Sequence, residues 1–189
     1  MVGLISRTHL ETPLTWRSPC RRPAAGLALL FLGFVAAPPA AAQITFGSPN
    51  DPPRLALGGG AFNVIVKHNN ATFMESAEYR FGDLWWIVAP FVGVQGTAQG
   101  AFYGYFGIGF DIHLPYNLVV TPSAAAGYFL AGDGINLGSI WEFRSGAEFA
   151  YRFADQRRFG IGFYHMSNSG IGKTNPGQEM LTAVFTVPF

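Results

Sequence analysis

Three side chains near the C-terminal end of the chain could together make an activated nucleophile: the hydroxyl of Ser167, the imidazole of His165 and the carboxylate of Glu179. Serine alone is weak at neutral pH. A histidine that takes its proton makes it competent for acyl transfer, provided an acid holds the ring in one tautomer and stabilises its cation. The spacing allows this. In an extended strand alternate residues share a face, so Phe159, Ile161, Phe163, His165 and Ser167 fall on one face of one segment. Glu179, Leu181, Ala183, Phe185 and Val187 fall on one face of the next. A hairpin joining the two segments would set the three polar groups side by side at one end, above an apolar stripe. Serine and histidine are also ordinary loop residues, and the pattern alone leaves open a barrel whose polar loop does no chemistry.

The elements that must position these groups show a period of two and no helical period. Strands are expected over Leu55–Val66, Ala71–Phe81, Trp86–Gly96, Ala101–Leu114, Leu118–Leu130, Ser139–Phe153, Arg157–Ser167 and Gln178–Phe189, with turn-forming residues between them. Eight is an even number. In the sixth segment Trp141, Phe143, Ala147, Phe149, Tyr151 and Phe153 share one face, and Glu142, Arg144, Glu148 and Arg152 share the other. In a water-soluble sandwich the aromatic face would be the core. Here the charges, of both signs, suit the inside of a narrow barrel, where they can pair, and the aromatic face suits lipid. Strands of ~10 residues tilted by ~45° cross a bilayer, and only a closed sheet satisfies every backbone group there. The expectation is an all-β, eight-stranded antiparallel transmembrane barrel ending in a strand at Phe189, with longer outer loops at Ala131 to Gly138 and Asn168 to Gly177.

Composition supports export and a membrane. Of 189 residues, 49% are hydrophobic and 15% aromatic, but only 12% are charged, about half the share in a soluble domain. The 24 glycines and 13 prolines break up the apolar residues, so that beyond position 42 no run approaches a membrane helix. A formal charge of +1 without a Lys/Arg stripe speaks against nucleic acid. At the N-terminus Arg17, Arg21 and Arg22 precede the apolar run Ala25–Ala37, and Ala40-Ala41-Ala42 supplies small residues before a cut. Residues 1–42 are expected to be a signal peptide, cleaved between Ala42 and Gln43, and residues 43–189 the barrel. The single cysteine, Cys20, falls in the cleaved part, so no disulfide is expected. An exported soluble barrel is the competing class, distinguished by extraction without detergent.

Other chemistry finds no support. No Gly-x-Ser-x-Gly elbow, phosphate loop or His-Glu-x-x-His occurs. His68, His113 and His165 are scattered over different segments with no cysteine beside them, so neither a metal site nor a cofactor is expected. Gly58-Gly59-Gly60 lies within a strand and reads as a bend or a place of close packing.

The stretch His165-Met166-Ser167-Asn168-Ser169, with Asn175-Pro176-Gly177-Gln178-Glu179 and a last strand ending at Phe189, resembles the PagL lipid A 3-O-deacylases. The resemblance implies an outer-membrane serine esterase that removes the ester-linked 3-O-acyl chain of lipid A, the glycolipid of lipopolysaccharide. Ser167 would be the nucleophile, His165 the base and Glu179 the orienting acid. Backbone N–H groups of the Asn168, Ser169 and Gly170 turn would hold the oxyanion, with Asn168 or Asn175 either assisting or only shaping the loop. Phe159, Ile161, Phe163, Leu181, Ala183 and Phe185 would form the bed of the acyl chain. A phospholipase on the same triad, and a structural or adhesive barrel without activity, are the alternatives. Acyl length and oligomeric state, including a homodimer, are left open.

Overall fold

The computed structural model describes residues 43–47, 51–65, 71–82, 84 and 87–189. The expected signal peptide, the turn at Lys67 to Asn70 and the expected strand ends at Val66 and Trp86 lie outside the described residues. Eight strands form the barrel: β1 (Arg54–Phe62), β2 (Thr72–Arg80), β3 (Ala89–Thr97), β4 (Phe102–Gly109), β5 (Leu118–Leu130), β6 (Trp141–Arg152), β7 (Arg158–Ser167) and β8 (Gln178–Pro188). Each pairs antiparallel with its sequence neighbour, and β8 closes onto β1. No edge is left among them, as lipid requires.

The fourth expected strand differs in one respect. It is interrupted after Gly109 and resumes at Ile112–Leu114, both parts pairing with β5. The residues across from the gap are Thr121 and Pro122, and the proline has no N–H to give to the ladder. The resumed segment also pairs on its other side with Thr45–Phe46, a short strand the sequence pattern did not suggest.

Facing follows the period-two pattern. Glu142, Arg144 and Glu148 are buried inside, whereas Trp141, Phe143, Phe149 and Tyr151 are exposed on the outer wall. Aromatic pairs mark both rims: Tyr128 with Trp141 near the outer loops, and Tyr151 with Phe153 and Tyr79 with Phe189 near the opposite turns. Such girdles sit where hydrocarbon gives way to headgroups.

The lumen is filled in layers. Under the outer loops an apolar plug holds Phe62, Met74, Tyr103, Phe129, Leu137, Met166 and Met180. Below it, Arg144 Nη2 donates to Glu78 Oε1 at 2.7 Å, Arg80 Nη2 reaches Glu148 Oε2 at 2.7 Å, and Tyr105 Oη donates to Glu78 at 2.9 Å. The Arg144 guanidinium also lies 4.4 Å from the ring centre of Tyr105 and 4.6 Å from that of Tyr164. At the far end Arg158 bridges Asp51 (2.9 Å) and Asp111 (2.6 Å). Large inward side chains need small neighbours: a Cβ on Gly162 would come within 2.5 Å of the Tyr164 ring. Gly60 is a place of close approach, since a Cβ there would meet the Leu181 carbonyl oxygen at 2.1 Å.

The ions of these two clusters are held because each has its partner, and removing one partner leaves the other charge uncompensated. Arg144→Met should therefore destabilise the barrel by about 3 to 5 kcal/mol. The double variant Glu78→Gln/Arg144→Met should recover most of that loss, as read from urea midpoints of the protein in detergent micelles.

Candidate active site

The outward positions of the eight strands are apolar, proline or glycine except at Glu75, Ser145, His165, Ser167 and Glu179. Four of these five converge at the outer end of β6, β7 and β8. His165 stands directly across from Glu179 on β8 and from Ser145 on β6. Ser167, two residues further along β7, shares the face of His165 and stands across from Phe143. The three expected site residues thus lie on the lipid-facing wall, as strand alternation dictates.

His165 Nδ1 is 3.2 Å from Glu179 Oε1, with the imidazole side chain 48% and the carboxylate 23% exposed. An ionised carboxylate can only accept, so in this pairing Nδ1 carries the proton, and in the neutral ring the lone pair is then on Nε2. Nε2 is turned towards the outer end of the hairpin. A Cβ placed on Gly177 would lie 3.1 Å from His165 Cε1 and 3.6 Å from Nε2. Gln178 pairs with Met166, so Gly177 is the residue facing Ser167 across the hairpin. Its φ of +63° suits glycine, and its missing side chain leaves the Nε2 edge of the ring open. The sequence pattern gave Gly177 no role beyond the motif. Among the described residues no hydrogen bond joins Ser167 Oγ to His165.

The loop beyond Ser167 is organised by Asn168, which is fully buried. Its Nδ2 donates to the carbonyls of Leu137 (2.8 Å) and Thr174 (2.7 Å), and its Oδ1 accepts from Gly170 N–H (2.9 Å). Its own backbone N–H donates to Asn175 Oδ1 at 3.1 Å. One asparagine therefore fastens the β7–β8 loop to the β5–β6 loop. The two loops approach closely where Gly138 meets Thr174, a contact too tight for any Cβ. Of the three expected oxyanion donors, the N–H groups of Asn168 and Gly170 are engaged by side chains within the loop. That of Ser169, at φ +52°, has no acceptor among the described residues.

The expected acyl bed, Phe159, Ile161, Phe163, Leu181, Ala183 and Phe185, is exposed on the wall directly below the three expected site residues. It is a ridge of large side chains, relieved only at Ala183. A hollow lies on the other side. Ile108, Ala124, Ser145, His165 and Glu179 are successive partners across β4 to β8, so their side chains form one oblique row on the wall. Because the strands tilt, this row descends from the outer end of β8 towards mid-membrane on β4. Its lower part opens into a groove of about 320 Å³ lined by Val88, Ile108, Phe110, Pro122, Ala124 and Ser145. The sequence could not show it, because it is made across three strands, β4 to β6, and Val88 before β3.

Away from this wall, Asp51, Asp111 and His113 bring one ligand atom each to within 4.8 Å of the others inside the barrel. Both carboxylates already accept from arginines, Asp51 from Arg54 and Arg158, and Asp111 from Arg158. Two guanidinium charges beside them make the cluster an internal ion network rather than a cation site.

Among curated protein sequences none matches the chain. The fold resembles that of a crystal structure of the outer membrane enzyme PagL, with a TM-score of 0.59 and 19% identity over 72% of this chain and 99% of that one. A weaker likeness, TM-score 0.44 and 12% identity over 71% of this chain and 99% of the other, is to the Yersinia pestis outer membrane protein Ail in a phospholipid nanodisc. The family model for lipid A 3-O-deacylase (PagL) matches residues 54–188, from the first residue of β1 to the last of β8. On that match the chain belongs to the PagL lipid A 3-O-deacylase family.

Proposed function

We propose that this protein is an outer-membrane serine esterase that hydrolyses the 3-O-acyl ester of lipid A with Ser167, His165 and Glu179, after export with cleavage between Ala42 and Gln43. The observation that carries the assignment is the His165–Glu179 pair at 3.2 Å on the lipid-facing wall, one alternate position from Ser167. Charged and polar side chains are costly against hydrocarbon and sit there for a reason. A lipid A ester lies near the boundary of sugar and acyl chains, and a nucleophile presented sideways at that depth reaches it without extracting the lipid.

In the reaction Ser167 Oγ attacks the ester carbonyl carbon while His165 Nε2 takes the hydroxyl proton, and Glu179 stabilises the imidazolium through Nδ1. The resulting oxyanion is met by the Ser169 N–H and by the Asn168 N–H, once the substrate oxygen replaces Asn175 Oδ1 as its acceptor. The carbon–oxygen bond to the sugar breaks, and the leaving sugar oxygen takes the proton from Nε2. Water, deprotonated by the same histidine, then attacks the acyl-serine ester. Free fatty acid leaves and Ser167 regains its proton. Gly177 keeps the space at Nε2 through which these protons move. The acyl chain follows the oblique row past Ser145 into the groove at Ala124, because a depression removes more of the chain from competing lipid than a ridge does. All the residues invoked lie on one chain.

Expression in a bacterial host lacking this activity should remove one ester-linked acyl chain from its lipid A, seen as the corresponding mass loss. Ser167→Ala and His165→Ala should each lower turnover by about 10³-fold or more while the folded, heat-modifiable barrel persists. Wild-type turnover by Ser167→Ala would end the assignment. Unchanged lipid A alongside released phospholipid acyl chains would move it to a phospholipase.

A tryptophan at Ala124 should block the groove and lower kcat/KM for long acyl chains at least tenfold, with short chains spared. Trp at Ala183 should do so instead if the chain lies on the β7–β8 ridge. Serine chemistry with backbone oxyanion donors needs no cation, so EDTA should leave turnover of detergent-dispersed substrate unchanged. Activity lost to EDTA and restored by calcium would speak for a phospholipase-like site.

A further inference from the structure

Glu75 is the one polar outward residue that does not belong to the catalytic wall. It projects from β2 between Phe73 and Ala77 and is exposed, and among the described residues no hydrogen bond or ion pair reaches it. Its partners on both sides are glycines, Gly59 on β1 and Gly96 on β3, so no neighbouring side chain covers it across the sheet. The carboxylate stands at the head of a groove of about 470 Å³, otherwise lined chiefly by Leu57, Ala77, Val94, Gly96 and Phe102.

Register places this groove apart from the triad. Gly59 also pairs with Ala183, four residues from Glu179 along β8, so Glu75 is two strands across and four residues along from the catalytic acid. With a rise of ~3.3 Å per residue and ~4.8 Å between strands, the separation is about 16 Å. Glu75 is the fourth residue from the outer end of β2, about 7 Å below that end for a strand tilted near 45°. That depth is where headgroups meet acyl chains.

A carboxylate facing lipid is retained when something there answers its charge. A phosphate headgroup without a cation repels it, and a sugar hydroxyl offers a hydrogen bond but no charge. A primary ammonium offers both, with N–H donors that form charge-assisted bonds. We propose that the groove headed by Glu75 is a binding site for a lipid with a primary ammonium headgroup. The ammonium sits on the Glu75 carboxylate, and one acyl chain lies over Gly96 and Ala77 between Leu57 and Val94. The site is separate from the esterase centre and does not depend on its assignment.

The test uses the full chain, folded in dodecylmaltoside micelles, with phosphatidylethanolamine, phosphatidylcholine or phosphatidylglycerol added at equal mole fraction. A ligand that binds only the folded state raises the unfolding temperature. Phosphatidylethanolamine should raise Tm by about 3 °C more than the other two. The choline lipid separates N–H donation from bare positive charge, and the glycerol lipid offers the same acyl chains under an anionic headgroup without a cation, which the carboxylate repels. Glu75→Gln should abolish the difference. Gly96→Val should abolish it as well with the carboxylate still present. A Cβ at that position would lie 3.9 Å from the Ala101 carbonyl oxygen, so the added side chain enters the groove without forcing the backbone. Equal stabilisation by all three lipids, or a preference retained in Glu75→Gln, would overturn the proposal. Neither result touches the deacylation assay, which reports on Ser167 and His165.

Discussion

Hydrocarbon offers no hydrogen bonds, and nearly every feature of this molecule follows from that. Backbone groups can be satisfied only by closing the sheet, which leaves an outer wall that must be apolar and a narrow lumen that must absorb the other half of every strand. The sequence meets the first demand with Phe, Leu, Val and Ala at outward positions. It meets the second with paired ions, Glu78 with Arg144 and Arg80 with Glu148, and with an apolar plug beneath the outer loops. A wall so uniformly apolar gives weight to its exceptions. The His165–Glu179 pair and Ser167 stand out against that background, and so does Glu75.

Strand tilt then turns a local motif into a site with a direction. Antiparallel partners lie side by side perpendicular to the strands, and in a tilted barrel that perpendicular runs obliquely through the membrane. The row from Glu179 through His165, Ser145 and Ala124 to Ile108 therefore joins headgroup depth to the hydrocarbon interior. A substrate with its ester at the boundary and its chain in the bilayer has the same shape. On the proposed function, chemistry and chain accommodation fall along one line because both are consequences of register.

Asn168 shows how a loop at the membrane surface can hold a fixed geometry without a core of its own. It is fully buried and spends both amide hydrogens on carbonyls of two different loops, while its oxygen fixes the turn at Gly170. Such a residue determines where the N–H groups beside Ser167 point. Asn175 covers one of these N–H groups with its side-chain oxygen.

Alternation alone determined most of the fold: eight strands, their boundaries to within a few residues, and which face of each meets lipid, because a period of two is a local property. It also put His165 and Ser167 on one face and Glu179 on its neighbour's. Local pattern could not show the interruption after Gly109, which depends on Pro122 standing opposite, or the pairing of Thr45–Phe46 beyond it. It could not tell that Gly177 borders the His165 ring, that Asn168 reaches Leu137, or that Glu75 is flanked by two glycines. Each of these is a relation between residues on different strands or loops. Such relations are set by the register in which the barrel closes, and only the tertiary structure decides that.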